Sequence, residues 1–482
     1  MDKKKIMNKN KELIKNTFIL FLGKFCTQFI SFLLIPIYTQ FLISEDYGYV
    51  DLIQTYVMLI VPIIILRLDS GVFRFLIDSR EDELEKKNII SSCIIFVFFQ
   101  IILFTIILII LNVFFEIKYF KYVILNSVSI AISNVLLQIS RGIGKNISYS
   151  ISSIISGLST LVLNIIFIVV LKYDGRSILA ASFIGNIICS IYLLYKIDVF
   201  KYLRIKDYNF KKISNVLKYS IPMIPDGLSW WIINVSDRTF ITLIIGAAAN
   251  GIYAISSKFS NVLFSIFQIF NMSWQESASL HIDDKDNVEF FSSILNSSYK
   301  LFFSICIFIL GIMPYIFDLV IGNSYFNAYY YIPILLLGNL FNAFANVIGG
   351  VYIAKKNSTE VAKTTFIAAI INIVINLLFI NKFGLYAAAI STLLSYVFLA
   401  IYRYIDVQKY LQIIVNKKVL FISMVLFIIC SSMYYINNSI LNTINLVVII
   451  SICLIMNRTM IKGILKKIGG KKYEKNFNLW NI

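Results

Sequence analysis

Residues 227–245 read GLSWWIINVSDRTFITLII, a stretch long and apolar enough to cross a lipid bilayer as a helix. Two charged residues, Asp237 and Arg238, stand side by side near its middle. A charged side chain facing lipid is costly, at about 2.5–3.5 kcal/mol on insertion scales. Such residues therefore face a partner, a water-filled cavity or a substrate, and the pair raises the question of what this chain binds inside a membrane.

The composition of the whole chain indicates an integral membrane protein. Of the 482 residues, 59% are hydrophobic and only 15% are charged, whereas soluble domains carry roughly 25% charged residues. Apolar runs of about 20 residues, the length of a membrane-crossing helix, recur along the sequence. They predict an all-α membrane protein with about 14 transmembrane helices. The expected spans are 17–42, 47–72, 89–114, 119–140, 147–171, 177–197, 218–245, 250–278, 296–321, 328–353, 361–381, 384–405, 418–436 and 438–457.

The net charge of +18 does not indicate nucleic-acid binding, because the basic residues lie in short loops between apolar spans. Lysine and arginine are concentrated in both terminal tails and in the central loop, whereas the alternate loops are short and contain few of them. By the positive-inside rule, both termini are expected to be cytoplasmic. The basic C-terminal tail is expected to contact membrane lipids of the cytoplasmic leaflet.

Metal and nucleotide chemistry are not indicated. The six cysteines are scattered singly through apolar runs, and a single histidine cannot build a metal site alone. The sequence has no phosphate-binding loop of the GxxxxGK[ST] type. We therefore expect no metal and no organic cofactor.

Weak internal similarity predicts two lobes in parallel orientation. Residues 144–168, GKNISYSISSIISGLSTLVLNIIFI, resemble residues 355–380, KKNSTEVAKTTFIAAIINIVINLLFI. Spans 1–6 thus correspond to spans 7–12, an organisation typical of transporters that rock two lobes around a central site. The predicted parts are an N-terminal lobe at 1–195, a basic cytoplasmic linker at 196–217, a C-terminal lobe at 218–408, two extra helices within 409–457 and a basic cytoplasmic tail at 458–482.

Charged residues inside the spans fall at matching depths. Asp237 and Arg238 lie about ten residues before the turn that ends their span, and Lys258 lies about ten residues after it, so a rise of 1.5 Å per residue gives them one depth. The same count gives Lys24 and Arg67 a common depth nearer the cytoplasm. Polar residues recur at helical spacing on several spans. These patterns predict a central polar cavity with an excess of positive charge.

The candidate site residues follow from that cavity. Substrate-binding bases are expected at Lys24, Arg67, Arg74, Arg238 and Lys258. Acids expected to form an ion pair or to carry a coupling ion are Asp237 and Asp69. Polar lining is expected from Asn234, Asn261, Gln268, Asn342, Asn346, Asn372 and Asn376. Three structural alternatives stay open: polar residues that only join helices, an Arg74 that reaches the lipid headgroups, and an Asp237–Arg238 pair that is purely structural.

Two stretches carry a family resemblance. Residues 219–274, YSIPMIPDGLSWWIINVSDRTFITLIIGAAANGIYAISSKFSNVLFSIFQIFNMSW, resemble the seventh and eighth spans of bacterial polysaccharide-export flippases, which belong to the multidrug/oligosaccharidyl-lipid/polysaccharide (MOP) superfamily. Residues 66–75, LRLDSGVFRF, resemble their second span. The resemblance implies two six-helix lobes around a V-shaped cavity, in the cytoplasmic (inner) membrane of a bacterium. It also implies a non-enzymatic flippase that moves an undecaprenyl-diphosphate-linked oligosaccharide outward for capsule, O-antigen or a similar glycan.

The physical pattern agrees with that implied substrate. A diphosphate requires arginine or lysine in a low-dielectric cavity, and the lipid tail can stay in the bilayer or lie against spans 13 and 14. A coupling proton or sodium ion at Asp237 stays open. Candidate protein partners are the polysaccharide polymerase and the glycosyltransferases that make the substrate.

Three competing functions agree less well with the sequence. A cation-coupled drug antiporter of the same superfamily should carry acids in its cavity, but bases outnumber acids here. A flippase for the cell-wall precursor is disfavoured because Lys24 is the single base of the first span. A membrane-embedded glycan polymerase is disfavoured because the loops expected outside are short and show no catalytic group.

Overall fold

The computed structural model describes residues 22–23, 25–116, 118–355 and 357–462. Within these ranges the chain is helical and contains no β-strand, which confirms the all-α fold class. The helices are α1 (Phe25–Phe41), α2 (Ser44–Ile64), α3 (Leu68–Asp78), α4 (Glu83–Phe115), α5 (Phe120–Gly142), α6 (Asn146–Asn164), α7 (Arg176–Ile197), α8 (Val199–Tyr202), α9 (Phe210–Ser220), α10 (Ile224–Val235), α11 (Asp237–Ile244), α12 (Ala247–His281), α13 (Asn287–Val320), α14 (Ile332–Ala354), α15 (Ser358–Phe383), α16 (Leu385–Val407), α17 (Lys417–Ile436) and α18 (Ser439–Met456).

Eleven helices of the described part are long and apolar enough to cross a membrane. The shorter α1 is also apolar, and the predicted seventh span is divided between α9, α10 and α11. A multi-pass membrane protein is therefore confirmed, and the number of fourteen spans stays a prediction.

The predicted second span, 47–72, is not one continuous helix. Leu66 and Arg67 have φ angles of 49° and 54°, in the left-handed region that non-glycine residues rarely adopt. Pro62 precedes this break inside α2 and cannot donate a helical hydrogen bond. The chain therefore stops one helix and starts another within the span, and it places Arg67 at the junction.

The predicted seventh span, 218–245, is interrupted as well. A short 3₁₀ turn at Ile221–Met223 joins α9 to α10, and Ser236 separates α10 from α11. The Ser236 hydroxyl donates to the carbonyl oxygen of Ile232 at 2.6 Å, a back-bond that bends helices. The second interruption places Asp237 in the first turn of α11.

The helices form two compact units, Met1–Trp231 and Ile232–Ile482. In the first unit, α7 packs against α5 and α6. In the second unit, α14 packs between α12 and α16, and α17 and α18 pack against α13. Gly311 of α13 permits that last contact, because a Cβ there would lie 2.7 Å from Ile449 Cδ1. The predicted lobe boundaries at 195 and 218 stay predictions.

Candidate functional site

The buried carboxylate of Asp237 lies at the centre of a polar cluster in the second unit. Its Oδ2 accepts hydrogen bonds from the hydroxyl of Tyr253 in α12 at 2.8 Å and from the hydroxyl of Thr392 in α16 at 2.6 Å. Its Oδ1 accepts one from the side-chain amide of Asn376 in α15 at 2.8 Å. Donors from three helices therefore converge on one carboxylate, and all three are uncharged.

A second layer of polar groups holds these donors. The amide of Asn376 also donates to the hydroxyl of Ser391 at 2.9 Å and to the carbonyl oxygen of Asn372 at 3.1 Å. The amide of Asn372 donates to Ser391 at 3.3 Å. Because Asn372, Asn376 and Ser391 are fully buried, their hydrogen bonds fix the side chains that surround the carboxylate.

One oxygen of this cluster has no hydrogen-bond partner among the described residues, namely Oδ1 of Asn376. A buried acceptor without a donor costs about 1–3 kcal/mol. Carboxylate, amide and hydroxyl oxygens are the groups that hard cations prefer. The oxygens of Asp237, Asn376 and Thr392 can therefore hold a proton or a small cation.

A small cavity adjoins the carboxylate and lies within the second unit. Its volume is about 30 Å³, and a water molecule needs roughly 10–15 Å³ of such space. At the other side of the cavity, the amide of Asn339 donates to the side-chain oxygen of Asn261 at 3.2 Å. The lining residues are Asp237, Tyr253, Ser257, Ser260, Asn261, Leu335, Asn339, Thr392 and Tyr396.

The predicted bases of the second unit lie on two of the four helices that form this cluster. Arg238 follows Asp237 in α11 and is buried, and Lys258 in α12 is half-buried. Asp237 is thus placed in a helix beside one base and packed against the helix that carries the other. Pairing of Asp237 with Arg238 or Lys258 stays a prediction.

The predicted charges of the first unit occupy two different environments. Arg67 lies at the junction of α2 and α3, and its buried Nε has no hydrogen-bond partner among the described residues. Asp69 Oδ1 is likewise buried without one in that part of the chain. Arg74 is half-exposed and forms an ion pair with Asp78 one turn further along α3. Lys24 lies outside the described residues.

The remaining predicted polar residues are distributed over α12, α14 and α15. The amide of Asn346 donates to Asn342 Oδ1 at 2.8 Å, so these two residues share one face of α14. Gln268 is half-buried in α12. Asn372 and Asn376 belong to the Asp237 cluster, and the side chain of Asn234 lies outside the described part of the structure. A lining role for these residues stays a prediction.

The sequence analysis did not predict three polar residues that form hydrogen bonds inside the second unit, namely Tyr253, Thr392 and Arg403. Tyr253 resembles an ordinary aromatic residue of a membrane helix, and Thr392 lies in the small-residue run AAAISTLL, where a hydroxyl usually joins helices. Arg403 is buried near the end of α16, where the sequence resembled a span boundary.

A comparison with models of known protein families identifies one family. Residues 13–275, more than half of the chain, match the model of a family described as polysaccharide biosynthesis protein. No curated protein sequence matches the chain.

Solved structures with the same fold are transporters. An inward-facing MATE-family multidrug resistance transporter of the MOP superfamily is 13% identical with a TM-score of 0.67, over 82% of this chain and 98% of that one. The lipid II flippase MurJ, in an inward closed conformation, is 16% identical with a TM-score of 0.66, over 94% and 100%. A MATE transporter of Vibrio cholerae, VcmN, is 14% identical with a TM-score of 0.58, over 83% and 96%.

Proposed function

The chain belongs to the polysaccharide biosynthesis protein family and has the fold of MOP-superfamily transporters, and from that premise we propose that it is a cation-coupled flippase for a lipid-linked oligosaccharide. The substrate is an undecaprenyl-diphosphate-linked repeat unit of capsule, O-antigen or a similar surface glycan. The protein moves it from the inner to the outer leaflet of a bacterial cytoplasmic membrane by alternating access, with both termini in the cytoplasm.

The observation that carries this proposal is the buried Asp237 cluster. Burying a carboxylate inside a membrane helix costs free energy. Three neutral donors hold Asp237 in place, and the side-chain oxygen of Asn376 beside it has no hydrogen-bond partner among the described residues. A site of this kind can take up and release a cation, which supplies the driving force that an uphill or one-directional transport step needs. A glycan polymerase would have no use for it.

The diphosphate of the substrate requires positive charge in the first unit as well. Arg67 supplies a guanidinium at a break between two helices, with a buried N–H that no described acceptor satisfies. Arginine binds phosphate oxygens through two parallel hydrogen bonds. We assign the diphosphate contact of the first unit to Arg67, and Lys24, Arg238 and Lys258 stay candidate bases from the sequence. The lipid tail is assigned to exposed apolar side chains of α17 and α18, namely Phe421, Ile428 and Val447.

Transport in liposomes tests the proposal directly. The protein is reconstituted with a fluorescent undecaprenyl-diphosphate oligosaccharide in both leaflets, and an external glycan-cleaving enzyme measures the accessible fraction over time. With an outward sodium or proton gradient, we expect accessibility to rise above one half in wild-type liposomes and to stay at one half without protein. Each gradient is imposed separately, which identifies the coupling ion.

Three outcomes oppose the proposal. Accessibility fixed at one half in folded protein would exclude flipping of this lipid. Export of a cationic dye with no movement of the lipid would indicate a drug antiporter. Lengthening of the glycan chain during the assay would indicate a polymerase.

A further inference from the structure

A second cavity lies in the first unit, far along the chain from the Asp237 cluster. It is an open cleft of about 470 Å³, within the range of roughly 300–1,000 Å³ that is typical of ligand sites. The end of α4 and the first turns of α5 and α7 surround it. The lining residues are Asn112, Glu116, Tyr119, Phe120, Lys121, Tyr122 and Arg176.

One wall of this cleft is aromatic. Tyr119, Phe120 and Tyr122 are all half-buried, and the rings of Tyr119 and Tyr122 stand perpendicular at 88° with centroids 6.5 Å apart. The two rings thus form an edge-to-face pair, which lines the cleft together with Phe120. Flat aromatic faces pack well against the C–H face of a sugar ring, and a tyrosine hydroxyl can bond to water or to ligand hydroxyls.

The cleft is also lined by polar side chains, which include both hydrogen-bond donors and acceptors and both charge signs. Glu116 supplies an acceptor, Lys121 and Arg176 supply donors, and Asn112 supplies an amide. Sugar hydroxyls both donate and accept, so a mixed lining suits them, whereas a polyanion would require bases alone. The chemistry of the cleft therefore matches a sugar ring with free hydroxyl groups.

This polar lining is held in position before any ligand binds. The Arg176 Nε donates to both carboxylate oxygens of Asp174, at 3.0 and 2.7 Å, and this hydrogen bond lowers the pKa of Asp174 below its usual value. The ion pair is therefore present at neutral pH and is lost only as the pH falls through the lowered pKa. Beside the cleft, the Lys118 ammonium lies 3.3 Å from the ring centroid of Tyr49, which packs Lys118 against α2.

We propose that this cleft binds a sugar ring of the transported glycan on the outer face of the membrane. The positive-inside pattern assigns the α4–α5 and α6–α7 connections to that face. The inference rests on the proposed function, because the flippase is what presents a glycan there. A sugar bound at the cleft after translocation would hinder the return of the substrate to the inner leaflet.

Binding of a soluble glycan tests the cleft without any transport step. The probe is the oligosaccharide released by mild acid from the lipid-linked pool of the cells that make the protein, and saturation-transfer NMR measures its binding to full-length protein in nanodiscs. Tyr119→Asn removes one ring but suits the left-handed backbone there, with φ of 60°. Tyr122→Ala removes the second ring, and Tyr173→Ala is the control, an exposed tyrosine of the neighbouring loop that does not line the cleft.

We expect the affinity for the glycan to fall at least about five-fold in Tyr119→Asn and in Tyr122→Ala, to be retained in Tyr119→Phe, and to be unchanged in Tyr173→Ala. Equal binding by wild type and both cleft variants would overturn the inference. Displacement of the glycan by glycerol 1-phosphate would also overturn it, because the cleft would then be a lipid-headgroup site.

The same variants in the liposome assay separate this inference from the proposed function. If the wild-type protein transports the lipid and both cleft variants bind the glycan as tightly as wild type, the proposed sugar site is wrong and the proposed flippase function stands. If glycan binding requires both Tyr119 and Tyr122 but the protein moves no lipid, the sugar site is supported and the proposed flippase function is wrong.

Discussion

The amide of Asn376 in α15 donates a 2.8 Å hydrogen bond to the carboxylate of Asp237 in α11, across 139 residues of sequence. Asp237 also stands in the first turn of its helix, where the positive end of the helix dipole favours an anion. Neutral dipoles therefore support much of its charge. A carboxylate supported in this way can exchange a cation without the helices having to separate.

Replacing the carboxylate should abolish coupling while keeping the fold. Asp237→Asn keeps the shape and the acceptor oxygen, and it removes the charge that attracts a cation. Coupling free energies between sites are typically about 1–3 kcal/mol, or roughly 5- to 150-fold. We expect the gradient-driven rate in liposomes to fall by at least about ten-fold. The melting temperature should fall as well, because the new amide nitrogen replaces one of the two oxygens that accept buried hydrogen bonds.

The control for that variant is Asp318→Asn, which neutralises an exposed acid of α13 in the same unit. It should transport at the wild-type rate. If Asp237→Asn were still driven by an imposed sodium or proton gradient, Asp237 would not carry the coupling ion.

The hydroxyl of Thr392 should tune the affinity of this cation site. Thr392→Val keeps the side-chain volume but removes the 2.6 Å hydrogen bond to Asp237, and bonds to charged groups contribute about 1.5–3 kcal/mol. We expect the ion concentration for half-maximal transport to change by about ten-fold in Thr392→Val and to stay near wild type in Thr392→Ser. Equal behaviour of the two variants would show that the hydroxyl has no role at the site.

Hydrophobic patterning predicted the fold class because each span must be apolar along its whole length. It also identified Asp237, Asn372 and Asn376, since polar groups are rare at membrane depth. The breaks before Arg67 and Asp237 were not predicted, because span-length periodicity does not report left-handed residues or serine back-bonds. Thr392 was missed because a hydroxyl in a small-residue helix looks the same whether it joins two helices or bonds to a carboxylate.

Two predicted bases, Arg67 just before α3 and Arg74 within it, should differ in their effect on the substrate. Arg67 has a buried N–H without a partner in the described chain, whereas Arg74 already pairs with Asp78 at a half-exposed position. Arg67→Gln should therefore raise the lipid concentration for half-maximal transport by about ten-fold or more, since charge-assisted bonds to phosphate are roughly twice as strong as neutral ones. Arg74→Gln should change it less than about two-fold, as expected for an exposed pair.

A reversed order of these two variants would place the headgroup at Arg74 and leave Arg67 with a structural role at the helix break. Arg67→Lys separates charge from shape, because a lysine keeps the charge but cannot form two parallel hydrogen bonds. If Arg67 binds the diphosphate, Arg67→Lys should restore part of the transport that Arg67→Gln loses. If the guanidinium only stabilises the break between α2 and α3, lysine should restore none of it.

The buried Arg403 should stabilise the second unit without taking part in transport. Its guanidinium donates to the hydroxyls of Thr364 and Thr365 at 3.1 and 3.0 Å and to the carbonyl oxygen of Ala345 at 3.1 Å. It thereby joins α14, α15 and α16 at one point. Arg403→Met fills a similar volume but removes these hydrogen bonds, and bonds to charged groups contribute about 1.5–3 kcal/mol. The hydroxyls of Thr364 and Thr365 keep their hydrogen bonds to helix carbonyl oxygens.

We expect Arg403→Met to lower the apparent melting temperature of the protein in nanodiscs, followed by intrinsic tryptophan fluorescence. One contributor is Trp274, whose indole N–H donates to Val347 in the same helix α14 that Arg403 contacts. The exposed Arg458→Met is the matched control and should leave the melting temperature unchanged. The transport rate per folded molecule should match wild type in both variants. A transport defect in fully stable Arg403→Met protein would instead make this arginine part of the transport mechanism.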